Sequence, residues 1–311
     1  MPGGVERVLR RRIRTVQATQ KITRAFELIA TSQIVRAQSR IVGAAPYLDG
    51  ITRVLEEAAR DAAGTAGRVM GTPDSPRRVL VLPIVSDRGL CGAYNANILR
   101  PAERMLRSGG SSGTEYRLVT AGRKAQTYFR FRRFDIEESF TGFSDRPSFA
   151  DAQRVAEVIT PPFLGEEVDQ VLVVSTRFRS AGRQVVETRQ LLPLPEPAAR
   201  ANAEESTGAE GALSTAQTSR EGYTEFEPES TSLLVELVPR YAEAAVFGAL
   251  LEAAASEHAA RQRAMAAATD NADELVKTLT RAMNRARQDS ITTEIMEIVG
   301  GAEALRHAAQ V

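Results

Sequence analysis

The two ends of this chain contain long stretches without glycine or proline. One stretch runs from Val5 to Val42 and the other from Ala249 to Val299, in a chain of 311 residues. As continuous helices they would measure roughly 57 Å and 77 Å, at an α-helical rise of about 1.5 Å per residue. A compact domain does not need helices of that length to cover its own core. The ends therefore predict helical rods that extend past a globular middle.

Apolar and small side chains recur along the N-terminal stretch with helical spacing. They are Leu9, Ile13, Val16, Thr23, Phe26, Ala30, Ala37 and Ile41. Gly43 and Pro46 then predict a break, after which the helical pattern resumes over residues 47–60. The stretch before the break carries nine Lys or Arg against two Glu. That charge favours an acidic partner.

The C-terminal stretch has the spacing of a coiled coil. Its apolar positions are Met265, Ala268, Ala272, Leu275, Leu279, Met283 and Ala286, followed by Ile291, Ile295, Ile298, Ala302 and Leu305. Most steps are of three or four residues, as in a heptad repeat. The five-residue step from Ala286 to Ile291 predicts that the seam slips there. Packed antiparallel, the end helices would form a two-helix stalk, with a helical bundle inside a globular core as the weaker alternative.

The middle of the chain alternates apolar runs with amphipathic segments. Strands are expected at residues 78–86, 116–121, 169–176 and 184–192, and helices at 94–107, 124–131 and 148–159. This alternation predicts a central Rossmann-like α/β domain with parallel strand pairs. The last two strands are expected to form a hairpin around Gly182.

The organisation that follows has four parts. Residues 1–60 form the N-terminal coiled-coil helix, 76–196 the central α/β domain, 197–222 a disordered insertion, and 223–311 the C-terminal coiled-coil helix. The insertion is assigned because Leu213 is its one large apolar residue, so it has no apolar burial to offset the entropy of ordering.

Composition and motifs disfavour several kinds of site. One cysteine, Cys91, and two histidines argue against an internal disulfide or a clustered metal site. The turn DRGLCG could cradle a phosphate near Gly89 and Gly92, but it lacks the dinucleotide glycine spacing and a Walker lysine. We expect no cofactor. A nucleotide-dependent enzyme, a coiled-coil adaptor, and a nucleic-acid binder using RRRIR and RFRRF stay as alternatives.

Neither end of the sequence suggests passage across a membrane. No apolar run approaches the length that spans a bilayer, and the basic start MPGGVERVLRRR lacks the apolar core of a secretory signal. The chain is therefore expected to stay on the cytoplasmic side.

Three segments resemble the gamma subunit of F-type ATP synthases, in the same order along the chain. They are TQKITRAFELIATSQIVRAQ at residues 19–38, SDRGLCGAYN at 86–95, and the helix at 255–305 that contains RQDSIT. The resemblance covers nearly the whole chain. It implies a non-catalytic central rotor stalk that couples rotation of a membrane ring to the conformational cycle of catalytic subunits, with protons, or else sodium ions, as the coupling ion.

The resemblance also implies partners and contact residues. The expected partners are the hexamer of alpha and beta subunits, the epsilon subunit and the ring of c subunits, at the cytoplasmic face of the cell membrane. Nucleic acid is not among them. A catch against a catalytic subunit is expected at Arg287, Gln288 and Thr292. Contact with the acidic lever loop of a catalytic subunit is expected at Arg88 and Cys91.

Two further surfaces follow from the same resemblance. An apolar tip that turns inside an apolar sleeve is expected at Ile295, Ile298, Val299 and Leu305. A foot toward the ring and epsilon is expected at Phe226 and Glu227. Glu27 departs from the family pattern, since a carboxylate facing an acidic lever would be repelled unless it points elsewhere or has a nearby cation.

Overall fold

The computed structural model describes residues 3–61, 69, 76–195 and 230–308. The helices of this part are α1 (Gly3–Asp61), α2 (Tyr94–Ser112), α3 (Arg123–Phe131), α4 (Phe149–Ile159), α5 (Pro161–Leu164) and α6 (Ser230–Ala308). The strands are β1 (Arg78–Pro83), β2 (Glu115–Ala121), β3 (Glu138–Phe140), β4 (Gln170–Phe178) and β5 (Gln184–Leu192). The contacts divide the chain into two units. The helical unit holds the described residues up to Ile29 and from Gln262 onward, and the sheet unit holds those between Ala30 and Arg261.

The sheet unit contains one five-stranded sheet with the order β3-β2-β1-β4-β5. Strand β1 pairs in parallel with β2 and with β4, and β2 pairs in parallel with β3. Strand β5 closes the edge as an antiparallel hairpin partner of β4. The predicted α/β domain with parallel pairs and a terminal hairpin is confirmed. The sequence pattern missed β3 and α5, which are three and four residues long and too short to show a period.

Alternate residues of β1 enter two different cores, because successive side chains of a strand point to opposite faces. Leu80 and Leu82 join a core that includes the second half of α1, α4 and the first part of α6. Val79 and Val81 join a second core with α2 and α3, around Ile98 and Phe129. The sheet is therefore covered on both faces. That explains why β1 reads as a continuous apolar run rather than an alternating one.

Helix α1 passes through Gly43 and Pro46 without interruption, so the predicted break is wrong. Proline in a helix interior removes one hydrogen bond and costs roughly 3 kcal/mol. The turns that follow it are held in place by tertiary packing, because Leu55 is fully buried in the core and Leu48 and Ile51 pack against that core. Burial of this face offsets the local penalty.

In the helical unit, α1 and α6 pack antiparallel, as predicted. The Gln20 Nε2 atom donates to Asp273 Oδ1 over 2.7 Å, and the Thr23 and Thr269 hydroxyls lie 2.8 Å apart. A residue nearer the N-terminus of α1 thus contacts a residue nearer the C-terminus of α6. On α6, buried or half-buried seam positions are Met265, Thr269, Ala272, Val276, Leu279, Met283, Ala286 and Ser290.

This seam differs from the predicted one in its residues and in its continuity. Thr269 occupies it instead of Ala268, and Val276 occupies it instead of Leu275, which is 41% exposed. The steps of four and three also continue unbroken to Ser290, so the predicted slip after Ala286 is wrong. Every described side chain from Ile291 onward is exposed. Because the pairing is antiparallel and α1 begins at Gly3, the seam ends where α1 runs out.

Two glycines of the sheet unit offer a matched test of this fold. Gly122 has φ +100, and a Cβ there would lie 2.1 Å from the carbonyl oxygen of Val85. We expect Gly122→Ala to lower the free energy of unfolding by about 2–4 kcal/mol. Gly43 is helical, with open space around its Cβ position, so Gly43→Ala should raise the free energy of unfolding by about 0.5–1 kcal/mol. Denaturant titrations of the full chain followed by circular dichroism measure both, and equal stability of the two variants would contradict the backbone geometry at Gly122.

Candidate partner-contact surfaces

The turn after β1, residues 86–95, is closed by a carboxylate of the chain itself. Asp87 accepts hydrogen bonds from the backbone N–H groups of Arg123 at 2.9 Å, Gly142 at 2.8 Å and Ser144 at 3.0 Å. It thereby joins three loops at the carboxyl edge of the parallel strands. A phosphate bound beside this carboxylate would meet like-charge repulsion. The geometry favours a structural turn over a phosphate cradle.

The thiol of Cys91 lies inside this turn. The residue is 2% exposed, and its sulfur accepts a hydrogen bond of 3.3 Å from Asn95 Nδ2. Burial raises the pKa of the thiol, so Cys91 is a neutral packing group at neutral pH. Direct contact between Cys91 and another subunit would require the turn to open.

Arg88 and Leu90 form the accessible part of the turn. Arg88 is exposed, and Leu90 is 61% exposed with φ 63 in the left-handed region. Of the two residues expected to meet an acidic lever loop, Arg88 alone presents its side chain at the surface. Contact by Arg88 stays a prediction.

The turn is fastened to α6 by a buried ionic pair that sequence reasoning missed. Arg261 Nη2 lies 2.5 Å from Glu257 Oε1, and the same nitrogen is 3.4 Å from the carbonyl oxygen of Gly89. Tyr94, the first residue of α2, donates its hydroxyl to the Ala253 carbonyl at 3.0 Å. The available sequence signal was the Glu-to-Arg spacing of four residues within a stretch of α6 that is otherwise rich in alanine.

Burial shifts the protonation of two neighbouring side chains on α6. Glu257 is 1% exposed, and loss of solvation raises its pKa although Arg261 opposes that rise. The imidazole of His258 lies with Nε2 3.1 Å from the Asp145 carbonyl oxygen, and burial lowers its pKa. His258 is therefore neutral at neutral pH.

The last turns of α6 hold the remaining predicted contacts. Arg287, Gln288 and Thr292 are all exposed, and Gln288 and Thr292 share a face because they are four residues apart. Ile295, Ile298 and Val299 are 55%, 72% and 54% exposed. The side chain of Leu305, the foot residues Phe226 and Glu227, and the insertion 197–222 lie outside the described residues.

Glu27 has a cation beside it. Its carboxylate is 15% exposed, and Oε2 lies 3.1 Å from Arg24 Nη1 one turn earlier on α1. The pair leaves this carboxylate locally neutralised. Such a contact, between one exposed and one half-buried partner, contributes at most about 1 kcal/mol.

Some classes of site are absent from the described part of the chain. Within residues 3–61, 76–195 and 230–308, no cluster of three or more His, Cys, Asp or Glu side chains is placed to hold a metal ion. No helix in those ranges combines the length and apolar character needed to cross a membrane.

Comparison with known proteins gives one consistent result. A protein-family model described as ATP synthase matches residues 6–305. The ATP synthase gamma chain of Parafrankia sp. is 44% identical over 310 residues, which cover 98% of this chain and 99% of the relative. The gamma chain of Mycobacterium tuberculosis is 44% identical over 315 residues, with 97% and 98% covered.

Solved structures share the fold. The central stalk and c-ring structure of the Tetrahymena thermophila mitochondrial ATP synthase includes a chain with TM-score 0.59 and 25% identity, covering 79% of this chain and 99% of that one. A chain of the Euglena gracilis mitochondrial ATP synthase gives TM-score 0.66 at 21% identity, with 99% and 97% covered. The second likeness supports the fold alone, because its identity is low.

Removing the cation of the buried pair should destabilise the sheet unit in a pH-dependent way. Arg261→Met leaves Glu257 without its partner, and we expect a loss of about 3–5 kcal/mol of unfolding free energy at pH 8. Loss of the cation places the pKa of Glu257 in the folded state still further above its pKa in the unfolded state. The loss of unfolding free energy therefore grows as the pH rises from the unfolded-state pKa to the folded-state pKa. The loss at pH 5 should therefore be smaller than at pH 8.

An exposed pair on the same helix is the control. Arg240 is 60% exposed and lies 3.2 Å from Glu243, so Arg240→Met should cost less than about 1 kcal/mol. Urea titrations of both variants at pH 5 and pH 8 measure the difference. A loss for Arg261→Met that does not depend on pH would show that Glu257 is not the group left uncompensated.

Proposed function

Because this chain belongs to the ATP synthase gamma chain family, we propose that it turns as the central rotor stalk of a proton-translocating ATP synthase. The observation that carries this role is helix α6, a single helix of 79 residues. Its first part is buried in the core of the sheet unit, and its last turns are exposed to partners. A long helix of this kind suits a stalk that transmits rotation.

The chain transmits rotation within the complex, and ATP synthesis takes place in other subunits. Two ionisable groups support this assignment, because they are used for contacts within the chain. Glu257 is held by Arg261, and Asp87 is held by three backbone N–H groups. A rotor needs stiffness and asymmetry so that the surrounding subunits are driven through different conformations in turn.

The proposed catch lies on α6 at Arg287, Gln288 and Thr292, just before and after the point where the seam with α1 ends. All three are exposed and able to reach a neighbouring subunit. An arginine guanidinium can donate a forked pair of hydrogen bonds to a carboxylate, and an amide can bond to backbone groups. Contacts of this kind break and re-form as the stalk turns, with a beta subunit of the alpha and beta hexamer as the proposed partner.

The proposed bearing follows the catch along the same helix. Ile295, Ile298 and Val299 present large apolar side chains that are more than half exposed in the chain alone. A soluble protein gains by burying such a group of side chains against a partner. Apolar contacts have no preferred direction, so a tip of this kind can rotate within an apolar sleeve. We assign Leu305 to the same tip on its sequence position.

The other contacts are assigned on the family and on charge. Arg88, at the exposed part of the turn, is proposed to meet an acidic lever loop of the catalytic subunits. The sheet domain, residues 76–196, together with Phe226 and Glu227, is proposed to rest on the c-ring and epsilon subunit. That position places the chain peripherally at the cytoplasmic face of the cell membrane.

A double variant tests the catch. In Arg287→Ala with Gln288→Ala, we expect the complex to assemble normally, because both side chains are exposed and add nothing to the seam. ATP synthesis driven by a proton gradient in membrane vesicles should fall several-fold, since each lost charge-assisted bond is worth roughly 1.5–3 kcal/mol. Arg281→Ala, an exposed arginine on the same helix, is the control and should leave synthesis unchanged. Normal assembly with normal synthesis in the double variant would refute the catch.

A further inference from the structure

The sheet unit contains an apolar cleft between α1 and α6 that the rotor role does not use. Its volume is about 290 Å³. We call it the apolar cleft, and it is lined by Ile41, Ala44, Ala45, Tyr47, Leu48, Phe149, Ala244, Phe247, Gly248, Leu251 and Glu252. Phe149 and Phe247 meet edge to face in its wall, with ring centroids 5.5 Å apart.

Gly248 leaves little room for a side chain in the wall of this cleft. A Cβ at Gly248 would lie 3.3 Å from Leu48 Cδ2 on the facing helix, so any larger side chain would compete for the same space. Glu252 is the one carboxylate of the lining, and Arg189 lies 3.3 Å from it. The interior of the cleft is thus apolar, with its single acid neutralised from the sheet side.

A second cleft of about 220 Å³ shares Leu251 with the first. We call it the cationic cleft, and its remaining lining is Gln33, Arg36, Ala37, Arg40, Asp145, Arg146, Ala254 and His258. Three arginines face one aspartate there. Since His258 is neutral at neutral pH, the positive charge of the cleft comes from the guanidinium groups.

The three arginines are not equivalent. Arg40 donates to the carbonyl oxygen of Pro147 and so fixes the loop that forms the wall of the cleft. Arg36 and Arg146 are exposed. Both line the cleft, Arg36 from α1 and Arg146 from the loop before α4, which is an arrangement suited to binding an anionic group.

We propose that the two clefts together bind a single-chain amphiphilic carboxylate of the long-chain fatty acid class. The apolar chain would lie between α1 and α6 against Phe149 and Phe247, and the carboxylate would accept hydrogen bonds from Arg36 and Arg146. Taken together, the two volumes fall within the roughly 300–1,000 Å³ of typical small-molecule sites. The apolar part is too small for the two acyl chains of a phospholipid, which favours a single-chain ligand.

Dodecanoate titrated into the full chain by isothermal calorimetry, below its micellar concentration, tests the proposal. We expect saturable binding of one dodecanoate per chain. Arg36→Gln and Arg146→Gln should each weaken binding about tenfold, because each removes one charge-assisted contact. Arg53→Gln, an exposed arginine of α1 outside both clefts, is the matched control and should bind like the unmodified chain.

Two substitutions test the tail. Gly248→Leu should abolish binding, and because it crowds Leu48 its fold is checked by circular dichroism. Ala45→Trp blocks the same cleft from an exposed position of α1, so it keeps the test valid if the Gly248 variant does not fold. A folded Ala45→Trp variant that binds dodecanoate with unchanged affinity would overturn the proposal.

Three further measurements distinguish a fatty acid from other possible ligands of the clefts. Dodecyltrimethylammonium should bind at least tenfold more weakly, and equal binding would remove the role of the arginines. Vesicles of phosphatidylglycerol should not compete with dodecanoate, and competition would assign the clefts to a membrane lipid. Binding that disappears when the chain is assembled into the complex would show that a partner subunit fills the clefts. These binding measurements do not depend on ATP synthesis. A negative result would therefore contradict the ligand proposal without bearing on the proposed rotor role.

Discussion

The sheet unit depends on one packing arrangement, in which the C-terminal part of α1 and the N-terminal part of α6 meet on the same face of the sheet. The core on that face contains Leu55 and Ala58 from the end of α1, and Val238, Val246 and Leu250 from the start of α6. These residues are separated by almost two hundred positions in the sequence, and both helices contribute to the same core. The core on this face of the sheet is therefore complete only when both helices are in place.

The seam of the helical unit has a different chemistry from this core. Between Met265 and Val276 it contains a threonine pair, a glutamine-to-aspartate bond and small side chains such as Ala272, which allow close approach but bury little apolar area. Polar pairs at seam positions specify register at a cost in stability. Exposed apolar side chains at Ile22 and Ile29 lie outside this seam, as do Ile295 and Ile298 beyond its end. A helix pair of this composition gains much of its stability from surrounding subunits, which fits a rod that works inside a complex.

Much of this architecture could be predicted from the sequence, because period and length are strong signals over long elements. The strands at β1, β2, β4 and β5 and the helices α2, α3 and α4 were predicted to within a few residues. The errors have physical causes. Local propensity predicts a break at Pro46, but burial of Leu55 outweighs the local cost. The spacing of three and four residues from Ala268 predicts Leu275 in the seam, whereas the structure places Val276 there and accepts Thr269 through its hydroxyl bond with Thr23. The helical period alone cannot decide which of two adjacent apolar residues lies in the seam.

The turn after β1 illustrates why functional contacts were harder to predict than the fold. The segment was recognised, but its internal chemistry depends on Asp87 meeting N–H groups from two distant loops and on Arg261 reaching Gly89 from α6. Neither pairing leaves a periodic trace in the sequence. Apolar packing is nondirectional, so alone it would let the turn slide on α6. A buried ionic pair and a tyrosine hydrogen bond at fixed positions prevent that movement. Glu257, Arg261 and Tyr94 therefore make the turn and α6 a single rigid element at this point. Under the proposed rotor role, a force on Arg88 at the surface would be passed to α6 with little movement of the loop.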